Sequence, residues 1–281
     1  MPLAQNGKTI SYSQQFTLLN GKKQREKKPI QWQHDKEEPG AAGCPMKAMI
    51  FAAGLGTRLR PLTDSMPKAL IEIDGAPLIQ HVLGRLIEAG VTEVMINLHH
   101  YPEQIRAFLA HRNNFGIHIE YSEEKRLLDT GGGLRRVRHF FSDDKPFLVH
   151  NVDILSTIDF AAMAAQFKKS NCLALLAVNQ RTTSRYLLFD AENTLCGWKS
   201  VAEDRRITAR EPMGLEQERA FCGIHLVSPD IFGKITEKGA FSIIQTYLRL
   251  AQEGERICAF PAGRFAWRDV GKLDQIPPGR E

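Results

Sequence analysis

A short apolar run that leads into a glycine-rich, basic loop constrains this chain more than any other feature. The run Lys-Ala-Met-Ile-Phe at 47–51 predicts a buried strand. Residues 52–70 follow as Ala-Ala-Gly-Leu-Gly-Thr-Arg-Leu-Arg-Pro-Leu-Thr-Asp-Ser-Met-Pro-Lys-Ala-Leu. The glycines let the backbone turn tightly with its amides exposed, and Arg58, Arg60 and Lys68 add positive charge. Backbone donors combined with fixed cations predict a loop that holds the phosphates of a nucleoside triphosphate.

Two better-known glycine motifs do not fit this loop. A dinucleotide fingerprint requires a third glycine near Leu59, and Pro61 cuts short the helix that such a fingerprint opens. A Walker loop requires Gly-Lys-Ser or Gly-Lys-Thr directly after the first glycines, and Gly54 and Gly56 lack that continuation. The remaining alternative is a glycine turn flanked by solvated basic residues.

The stretch resembles the signature of the sugar-1-phosphate nucleotidyltransferases, which is Gly-x-Gly-Thr-Arg, a short spacer and Pro-Lys. The resemblance runs from about residue 46 to about residue 273, and it includes 129–133, 221–225 and 267–271. It implies a fold of the nucleotide-diphospho-sugar transferase type, an α/β Rossmann-like mixed and mostly parallel sheet between helices, with a smaller β-rich sugar-binding lobe. It also implies transfer of a nucleoside monophosphate from an NTP to a sugar-1-phosphate, with release of pyrophosphate.

The order of the predicted elements favours the same α/β class independently, because strands alternate with helices. Strands are predicted at 91–97, 117–121, 147–149, 172–178 and 220–227, a hairpin at 186–199, and helices at 77–88, 102–111, 160–168 and 241–252, with another starting near Thr130. Residues 201–217 are charged and predict an irregular surface excursion. We therefore expect a nucleotide-binding part at 46–178 and a sugar-binding part at 179–281.

Charge and composition narrow the partners. The formal net charge of the 281 residues is +5, but residues 1–45 hold seven basic and four acidic side chains, so the remainder is nearly balanced. This distribution suits a small anionic ligand better than a nucleic acid. Residues 1–45 are polar and without periodicity, and they predict a disordered extension ahead of a domain that begins at Met46.

The chain offers no apolar run of about 20 residues and no apolar leader, so the sequence predicts no membrane span and no secretory signal. Its five scattered cysteines lack a Cys-x-x-Cys pair and predict reduced thiols in a cytoplasmic protein. The oligomeric state is open between a monomer and a small homo-oligomer.

The resemblance assigns roles in the nucleotide site. Because the attacking phosphate is already an anion, catalysis requires positioning and electrostatic stabilisation rather than a general base. Arg58 is expected to hold the leaving phosphates, and Lys68 to bridge the α-phosphate and the incoming phosphate. The implied nucleotide-binding residues are Ala53, Gly54, Gly56, Thr57, Arg58, Gly132 and Gly133.

Two aspartates are candidates for a Mg²⁺ site, since Mg²⁺ binds one or two carboxylates together with substrate phosphates. Asp153 follows the strand 147–149, at the carboxyl end where open α/β sheets bind ligands. Asp269 matches the second metal-binding carboxylate of the family. The alternative for Asp153 is an N-cap for the helix near Asp159. Val152 stands where relatives have glycine, which predicts a shifted backbone beside the nucleotide.

The acceptor side is less constrained. By resemblance, Asp129 or Thr130 contacts the ligand's hydroxyls, and Gly223 belongs to the cleft wall of the sugar-phosphate site. Asn179, Arg181 and Arg185 follow the strand 172–178 and are candidates to bind the sugar or its phosphate. The glycines at 131–133 are expected to open a helix with exposed amides, with a flexible hinge as the alternative. Glu124 is expected to be exposed charge, with contact to the base as the alternative. The resemblance favours UTP with N-acetylmuramate-1-phosphate; GTP with mannose- or heptose-1-phosphate and CTP with a phosphorylated alcohol stay open. The rival of another class is a non-catalytic regulatory protein that binds nucleotide sugars.

Overall fold

A computed structural model describes residues 46–272 and, ahead of them, a short antiparallel pair between Ala4–Gln5 and Lys8–Thr9. The rest of the predicted extension lies outside the described residues. The strands from residue 46 onward are β1 Met46–Phe51, β2 Glu72–Ile73, β3 Ala76–Pro77, β4 Val91–Leu98, β5 His118–Glu123, β6 Phe147–Asn151, β7 Ile154–Ser156, β8 Ala174–Asn179, β9 Arg185–Phe189, β10 Leu195–Ser200, β11 Arg205–Thr208, β12 Gln217–Val227, β13 Ile257–Pro261 and β14 Trp267–Asp269. The α-helices are α1 Leu78–Glu88, α2 Pro102–His111, α3 Asp129–Arg136, α4 Phe160–Ser170, α5 Ile231–Lys234 and α6 Ile243–Gln252.

Ten of these strands form one mixed sheet, in the order β11-β10-β9-β12-β6-β1-β4-β5, with β8 pairing with β12 and β13. The pairs that join β6, β1, β4 and β5 are parallel, and so is the pair between β8 and β13. The pairs that involve β9, β10, β11 and β12 are antiparallel. The predicted mixed α/β class is confirmed, and the antiparallel pairing is concentrated on the side predicted to bind sugar.

Successive residues of β1 point to opposite faces of the sheet, as the period of a strand requires. Ala48 and Ile50 belong to a core cluster that includes residues of α1, α2 and α4. Met49, between them, belongs to a second cluster that includes residues of α3 and α6. All three side chains are fully buried. The sheet is therefore the middle of three layers, and a strand covered on both faces reads as the continuous apolar run seen in the sequence.

Most of the predicted elements are confirmed, and the structure adds several that were not predicted. Four of these are short, namely β2, β3, β7 and α5. The segment 201–217 contains a strand, β11, which pairs antiparallel with β10 at the edge of the sheet. The strands β13 and β14 were not predicted, because runs of five and three residues are too short for a recognisable periodicity.

No α-helix in the described part of the chain has the length and apolar character of a membrane span. The described cysteines, Cys172, Cys196, Cys222 and Cys258, are buried and free.

Candidate active site

Six consecutive backbone amides of the phosphate loop have no acceptor among the residues that the structure describes. The amide of Ala52 donates to Asn97 Oδ1 at 2.8 Å, and the amide of Leu59 donates to the carbonyl of Gly56 at 2.8 Å. Between them, the amides of residues 53–58 donate to no acceptor in the part of the chain that the structure describes. Successive free amides in a tight loop form a concave site for an anion. The predicted nucleotide-binding residues Ala53, Gly54, Gly56, Thr57 and Arg58 all lie in this stretch.

The two glycines of the loop differ in what they make possible. Gly56 has a φ of 64°, and a Cβ there would lie 2.7 Å from Thr63 Cγ2, so only glycine fits. Its carbonyl accepts a hydrogen bond from Thr63 Oγ1 at 2.9 Å, which closes the loop on itself. A Cβ at Gly54 would meet nothing within 4 Å. Gly56 is therefore required by the protein's own packing, whereas Gly54 leaves open space along the free amides.

The three cations of the loop take different directions. Lys68 donates a hydrogen bond to Asp153 Oδ2, and both side chains are largely buried, with 12% and 17% of their surface exposed. Arg58 lies at the surface, with its Nη2 facing the aspartates. Arg60 is 68% exposed and pairs with Asp64 at 3.2 Å, so it lies outside this group. Arg58 and Lys68 are the two cations that the fold brings to the carboxylates.

Asp153 and Asp269 converge because β7 and β14 pair with each other. Asp269 lies opposite Ile154, and the amide of Val270 donates to the carbonyl of Asp153 at 2.9 Å. One point, the position that a Cβ at Gly271 would occupy, lies 2.7 Å from Asp269 Oδ1 and 3.1 Å from both Asp153 Oδ2 and Arg58 Nη2. Two aspartates 116 positions apart in sequence thus face one small space, which the absent side chain of Gly271 leaves open.

The structure decides the cap alternative for Asp153 and shows where the Val152 side chain lies, while the backbone shift expected at Val152 stays a prediction. The helix α4 is capped by Asp159, whose Oδ1 accepts a hydrogen bond from the amide of Ala162 at 2.9 Å, so Asp153 is not the cap. Val152 is 4% exposed and packs into the core, while its amide donates to the carbonyl of Phe51. The Val152 side chain therefore points into the core and away from the two aspartates, so a side chain larger than glycine is accommodated here.

A buried polar bridge, which the sequence did not reveal, joins the phosphate loop to the segment before α3. Asn97 accepts from the amide of Ala52 and donates through Nδ2 to Glu124 Oε1 at 2.8 Å. Glu124 Oε2 then accepts from the amide of Leu128 at 2.9 Å. Glu124 is only 2% exposed, so the expectation of exposed charge at this residue is wrong. The bridge fixes the two loops relative to each other.

The amides at the start of α3 are also engaged, contrary to the sequence expectation. The amides of Gly131 and Gly132 both donate to the carbonyl of Phe241, at 2.8 and 3.3 Å. A Cβ at Gly131 would lie 2.2 Å from the Phe241 ring, and one at Gly132 would lie 2.5 Å from the carbonyl of Gly239. The glycines thus allow α3 to pack closely on the segment 239–241, and the idea of exposed amides is wrong. The nucleotide contacts of Gly132 and Gly133 stay predictions.

The described residues of the chain contain no group of three or more His, Cys, Asp and Glu side chains that could hold a metal ion.

The sequence match decides the family: residues 47–277 match the family model described as nucleotidyl transferase. The chain belongs to this family. The predicted family and enzyme class are therefore confirmed.

Curated relatives agree with this assignment, and a solved structure shows the same fold. The N-acetylmuramate alpha-1-phosphate uridylyltransferase of Neisseria meningitidis serogroup B is 46% identical over 232 residues, covering 82% of this chain and 95% of that protein. A mannose-1-phosphate guanyltransferase of Gibberella zeae is 31% identical over 230 residues, covering 81% of this chain but 61% of that protein. The structure of the inositol-1-phosphate CTP transferase from T. maritima superposes with a TM-score of 0.67 at 16% identity, covering 84% of this chain and 93% of that one.

On the side of this nucleotidyl transferase predicted to bind sugar, Gly223 lies in a bulge of β12 with a φ of 73°. A Cβ at Gly223 would lie 2.8 Å from Asn151 Nδ2, so the glycine lets β12 approach the end of β6. Arg181 stacks on the Trp267 ring at 4.2 Å and donates to the carbonyl of Phe221 at 3.1 Å. These contacts place the segment after β8 beside β14, which carries Asp269.

A cleft of about 730 Å³ opens where β8 and β13 end in the nucleotidyl transferase. Its polar lining side chains are Gln166, Asn179, Gln180, Arg219 and Arg264, and none of its lining residues in the described part of the chain is acidic. Asn179 Oδ1 is buried and has no hydrogen-bond partner among the described residues. The cleft therefore offers positive charge and amide groups next to Arg181. Arg210, in contrast, pairs with the fully buried Asp190 at 2.7 Å and is structural.

The predicted acceptor residues Asp129 and Thr130 lie at the start of α3. Asp129 Oδ1 accepts from the amide of Thr130 at 2.6 Å, and Thr130 Oγ1 accepts from the amide of Ile243 at 3.0 Å. The Thr130 side chain thus joins α3 to α6, whereas Asp129 Oδ1 binds the adjacent amide at the start of α3. Contacts of Asp129, Thr130, Asn179 and Gly223 with a sugar phosphate stay predictions.

Proposed function

We propose that this protein transfers the uridylyl group of UTP to N-acetylmuramate-1-phosphate, giving UDP-N-acetylmuramate and pyrophosphate. The observation that carries the proposal is the set of free amides at residues 53–58, placed with Arg58 and Lys68 beside two aspartates. Amides and cations bind the polyphosphate, and the carboxylates suit a divalent cation. This arrangement fits nucleotidyl transfer better than binding alone, because a sensor has no need of paired carboxylates next to the phosphates.

The reaction forms a bond from a phosphate oxygen of the acceptor to the α-phosphorus and breaks the bond from the α-phosphorus to the β-phosphate oxygen. Pyrophosphate leaves with the electron pair of that bond. Arg58 and the loop amides hold the leaving phosphates. Lys68 lies between the α-phosphate and the incoming phosphate, where it offsets the repulsion between two anions. The attacking oxygen carries no proton, so no side chain is required as a base.

We propose that Asp153 and Asp269 hold Mg²⁺. The space left by Gly271 between the two carboxylates fits this role, since Mg²⁺ is bound by one or two carboxylates together with substrate phosphates. The ion supplies charge neutralisation at the phosphate oxygens when bound. The carboxylates fix its position, and Lys68 orients Asp153 through their ion pair.

The lining of the cleft supports N-acetylmuramate as the acceptor sugar. N-Acetylmuramate carries a lactyl carboxylate, which mannose and heptose lack. Arg219 and Arg264 line the cleft, and an arginine fork pairs well with a carboxylate. Arg219 is already bound to Gln217 and to the Glu218 carbonyl, so Arg264 is the better candidate. The sugar occurs in the bacterial cell wall, and we place the reaction in the recycling of cell-wall sugars in the cytoplasm.

The relatives support the same choice and define the alternative. The relative at 46% identity, covered over 95% of its length, is named for N-acetylmuramate alpha-1-phosphate and uridylyl transfer. Relatives named for mannose-1-phosphate and guanylyl transfer are matched over about three fifths of their length. The alternative is therefore GTP with mannose-1-phosphate, and transfer to another phosphorylated acceptor comes third.

The first experiment is pyrophosphate release with magnesium across UTP, GTP, CTP, dTTP and ATP, each against a panel of sugar-1-phosphates. We expect one preferred pair, UTP with N-acetylmuramate-1-phosphate. Preference for GTP with mannose-1-phosphate would overturn the substrate assignment but retain the reaction. Nucleotide binding without pyrophosphate release across the panel would favour a regulatory protein instead.

A second arm of this experiment compares two acceptors that differ only in the lactyl group. N-Acetylglucosamine-1-phosphate lacks the lactyl carboxylate and is otherwise the same sugar. Arg264→Ala is expected to lower kcat/KM about 10- to 100-fold for N-acetylmuramate-1-phosphate, the range for one charge-assisted hydrogen bond, and to leave the value for N-acetylglucosamine-1-phosphate unchanged. Equal losses with both acceptors would show that Arg264 does not contact the lactyl group.

A further inference from the structure

Residues 63–65 of the phosphate loop, which lie between Arg58 and Lys68, are hydrogen-bonded by side chains at the start of α2. Three side chains there bind three consecutive carbonyls of the phosphate loop. His100 Nε2 is 3.1 Å from the carbonyl of Thr63, Tyr101 Oη donates to the carbonyl of Asp64 at 2.6 Å, and Gln104 Nε2 donates to the carbonyl of Ser65 at 3.0 Å. A carbonyl only accepts, so His100 carries its proton on Nε2 in this contact. We call His100, Tyr101 and Gln104 the loop anchor.

The backbone at the loop anchor is held in a costly conformation. Tyr101 has a φ of 49°, which places a residue with a bulky side chain in the left-handed region. Such a conformation persists only where surrounding contacts impose it, and it marks positions with a specific role. Here Pro102 starts α2 directly afterwards, and the Tyr101 carbonyl accepts from the amide of Gln104 at 3.2 Å. The left-handed turn lets Tyr101 reach the loop while the helix begins.

The same loop segment is also bound from inside. Thr63 is 2% exposed, and its hydroxyl donates to the carbonyl of Gly56 at 2.9 Å. Its own carbonyl is the one that His100 binds. Thr63 thus connects the loop anchor to the residue in the middle of the free amides. Arg58 lies within the turn that this bond closes, and Lys68 Cβ lies 3.3 Å from the position that a Cβ at Gly56 would occupy.

We propose that the loop anchor positions Arg58 and Lys68 for the triphosphate, with Tyr101 as its principal positioning residue. The inference rests on the proposed nucleotidyl transfer, but it concerns residues that touch neither the carboxylates nor the free amides. A three-point attachment restricts how far the loop can move when the anion arrives. Without it, the loop amides and the two cations would have to be ordered again at each binding event, at the expense of nucleotide affinity.

The test is Tyr101→Phe, which removes the hydroxyl that binds Asp64 and keeps the ring. We expect kcat/KM for UTP to fall about three- to tenfold, the range for one neutral hydrogen bond, while the KM of the acceptor stays unchanged. Affinity for UTP in the presence of magnesium, measured by calorimetry, should fall by the same factor. Gln104→Met removes a second attachment on the exposed side and should act in the same direction.

The matched control is Tyr121→Phe. Tyr121 lies on β5 with its ring facing Arg106 of α2, and within the part of the chain that the structure describes it has no hydrogen bond to the loop. This variant should keep both kcat/KM and UTP affinity. A merely structural role for Tyr101 would change the melting temperature and both substrates alike, and that result would overturn the proposal.

The calorimetric arm separates this inference from the proposed function. If the wild-type protein releases no pyrophosphate with any substrate pair, the proposed reaction fails. Weaker UTP binding by Tyr101→Phe than by Tyr121→Phe would still support the loop anchor. Equal UTP affinity of the two variants would overturn it, whatever the turnover.

Discussion

The ion pair of Lys68 with Asp153 is a largely buried contact between two residues of the candidate active site. Both side chains are mostly out of water, where two charges orient each other more strongly than at the surface. Asp269 and Arg58 face the same small space. Asp153 is paired with Lys68, and Arg58 Nη2 lies near the same space, so positive charge adjoins the carboxylates where an anionic ligand would approach.

Asp153→Asn tests this residue most directly. Asparagine keeps the shape and can still accept a hydrogen bond from Lys68, but it removes the negative charge. We expect turnover to fall at least about 100-fold, because loss of one such electrostatic group costs that much at a reacting phosphate. The melting temperature should stay close to that of the wild-type protein.

The control for Asp153→Asn is Asp159→Asn, six positions later. Asp159 caps α4, and asparagine caps helices about as well as aspartate does. This variant should therefore retain turnover. Full activity of Asp153→Asn would remove Asp153 from the mechanism, and lost activity of Asp159→Asn would point to a fold defect shared by both variants.

At the scale of single residues, the sequence could predict those candidate site residues that belong to a local sequence motif. Arg58 and Lys68 were found because their spacing from the glycines follows the loop itself. The burial of Glu124 and the contacts of Tyr101 could not be found in this way. Both depend on which strand ends lie side by side, and that depends on residues far away in the chain.

Among the elements, the pairing of β7 with β14 does most to build the site. Each strand has three residues, too few for a recognisable alternation, yet their register brings Asp269 next to the residue after Asp153. The sequence named both aspartates by resemblance. It could not show the strand pair that unites them, because short strands are defined by their partners rather than by their own composition.

The glycines of α3 show the opposite case, in which a conspicuous pattern has a packing explanation. Gly131 and Gly132 allow close approach to residues 239–241, and Gly133 lies where a Cβ would be 2.9 Å from Glu124 Oε1. A run of glycines at a helix start indicates that something comes close. The sequence alone cannot say whether that neighbour is a ligand or another segment of the same chain.

The phosphate loop, as an element, allows a comparison of its two glycines. Gly56→Ala places a methyl group against Thr63 at a positive φ, and we expect it to destabilise the fold by about 1–3 kcal/mol. Gly54→Ala meets no protein atom within 4 Å and should leave the fold's stability unchanged. If phosphates bind along the free amides, the Gly54→Ala methyl group should raise the KM for the nucleotide.

Urea unfolding and nucleotide KM together check this comparison. Equal stability of the two variants would show that the Gly56 turn relaxes without cost. An unchanged nucleotide KM in Gly54→Ala would place the phosphates away from this part of the loop.

For the molecule as a whole, one mixed sheet arranges the site. The carboxyl ends of β1, β4 and β6 meet in the parallel part, which is where open α/β sheets bind ligands. The antiparallel strands extend the same sheet toward the cleft at β8 and β13. Alternating elements predicted the α/β class correctly. The strand order could not be predicted, since it follows from long-range pairing between segments whose local patterns are alike.

Two buried histidines near the centre of this sheet should make the stability of the whole molecule depend on pH. Burial lowers the pKa of His150 to about 4 and that of His225 to about 3, whereas a solvent-exposed histidine has a pKa of about 6.5. Below pH 6.5, His150 and His225 therefore bind protons in the unfolded chain but stay neutral in the folded protein. The stabilisation is fully present above pH 6.5 and is lost as the pH falls, by about 2 kcal/mol per histidine at pH 5.

His225→Gln isolates one of these contributions. His225 is hydrogen-bonded to the buried Tyr247 at 2.6 Å, and glutamine keeps a polar group there that does not titrate. The free energy of unfolding in urea should fall between pH 7.5 and pH 5 by about 2 kcal/mol less in this variant than in the wild-type protein, even if the variant is less stable at both pH values. His118→Gln, at a side chain that is 58% exposed, should retain the wild-type dependence. An identical fall in all three proteins would mean that His225 accepts a proton in the folded state, and that acid stability is governed by the carboxylates instead.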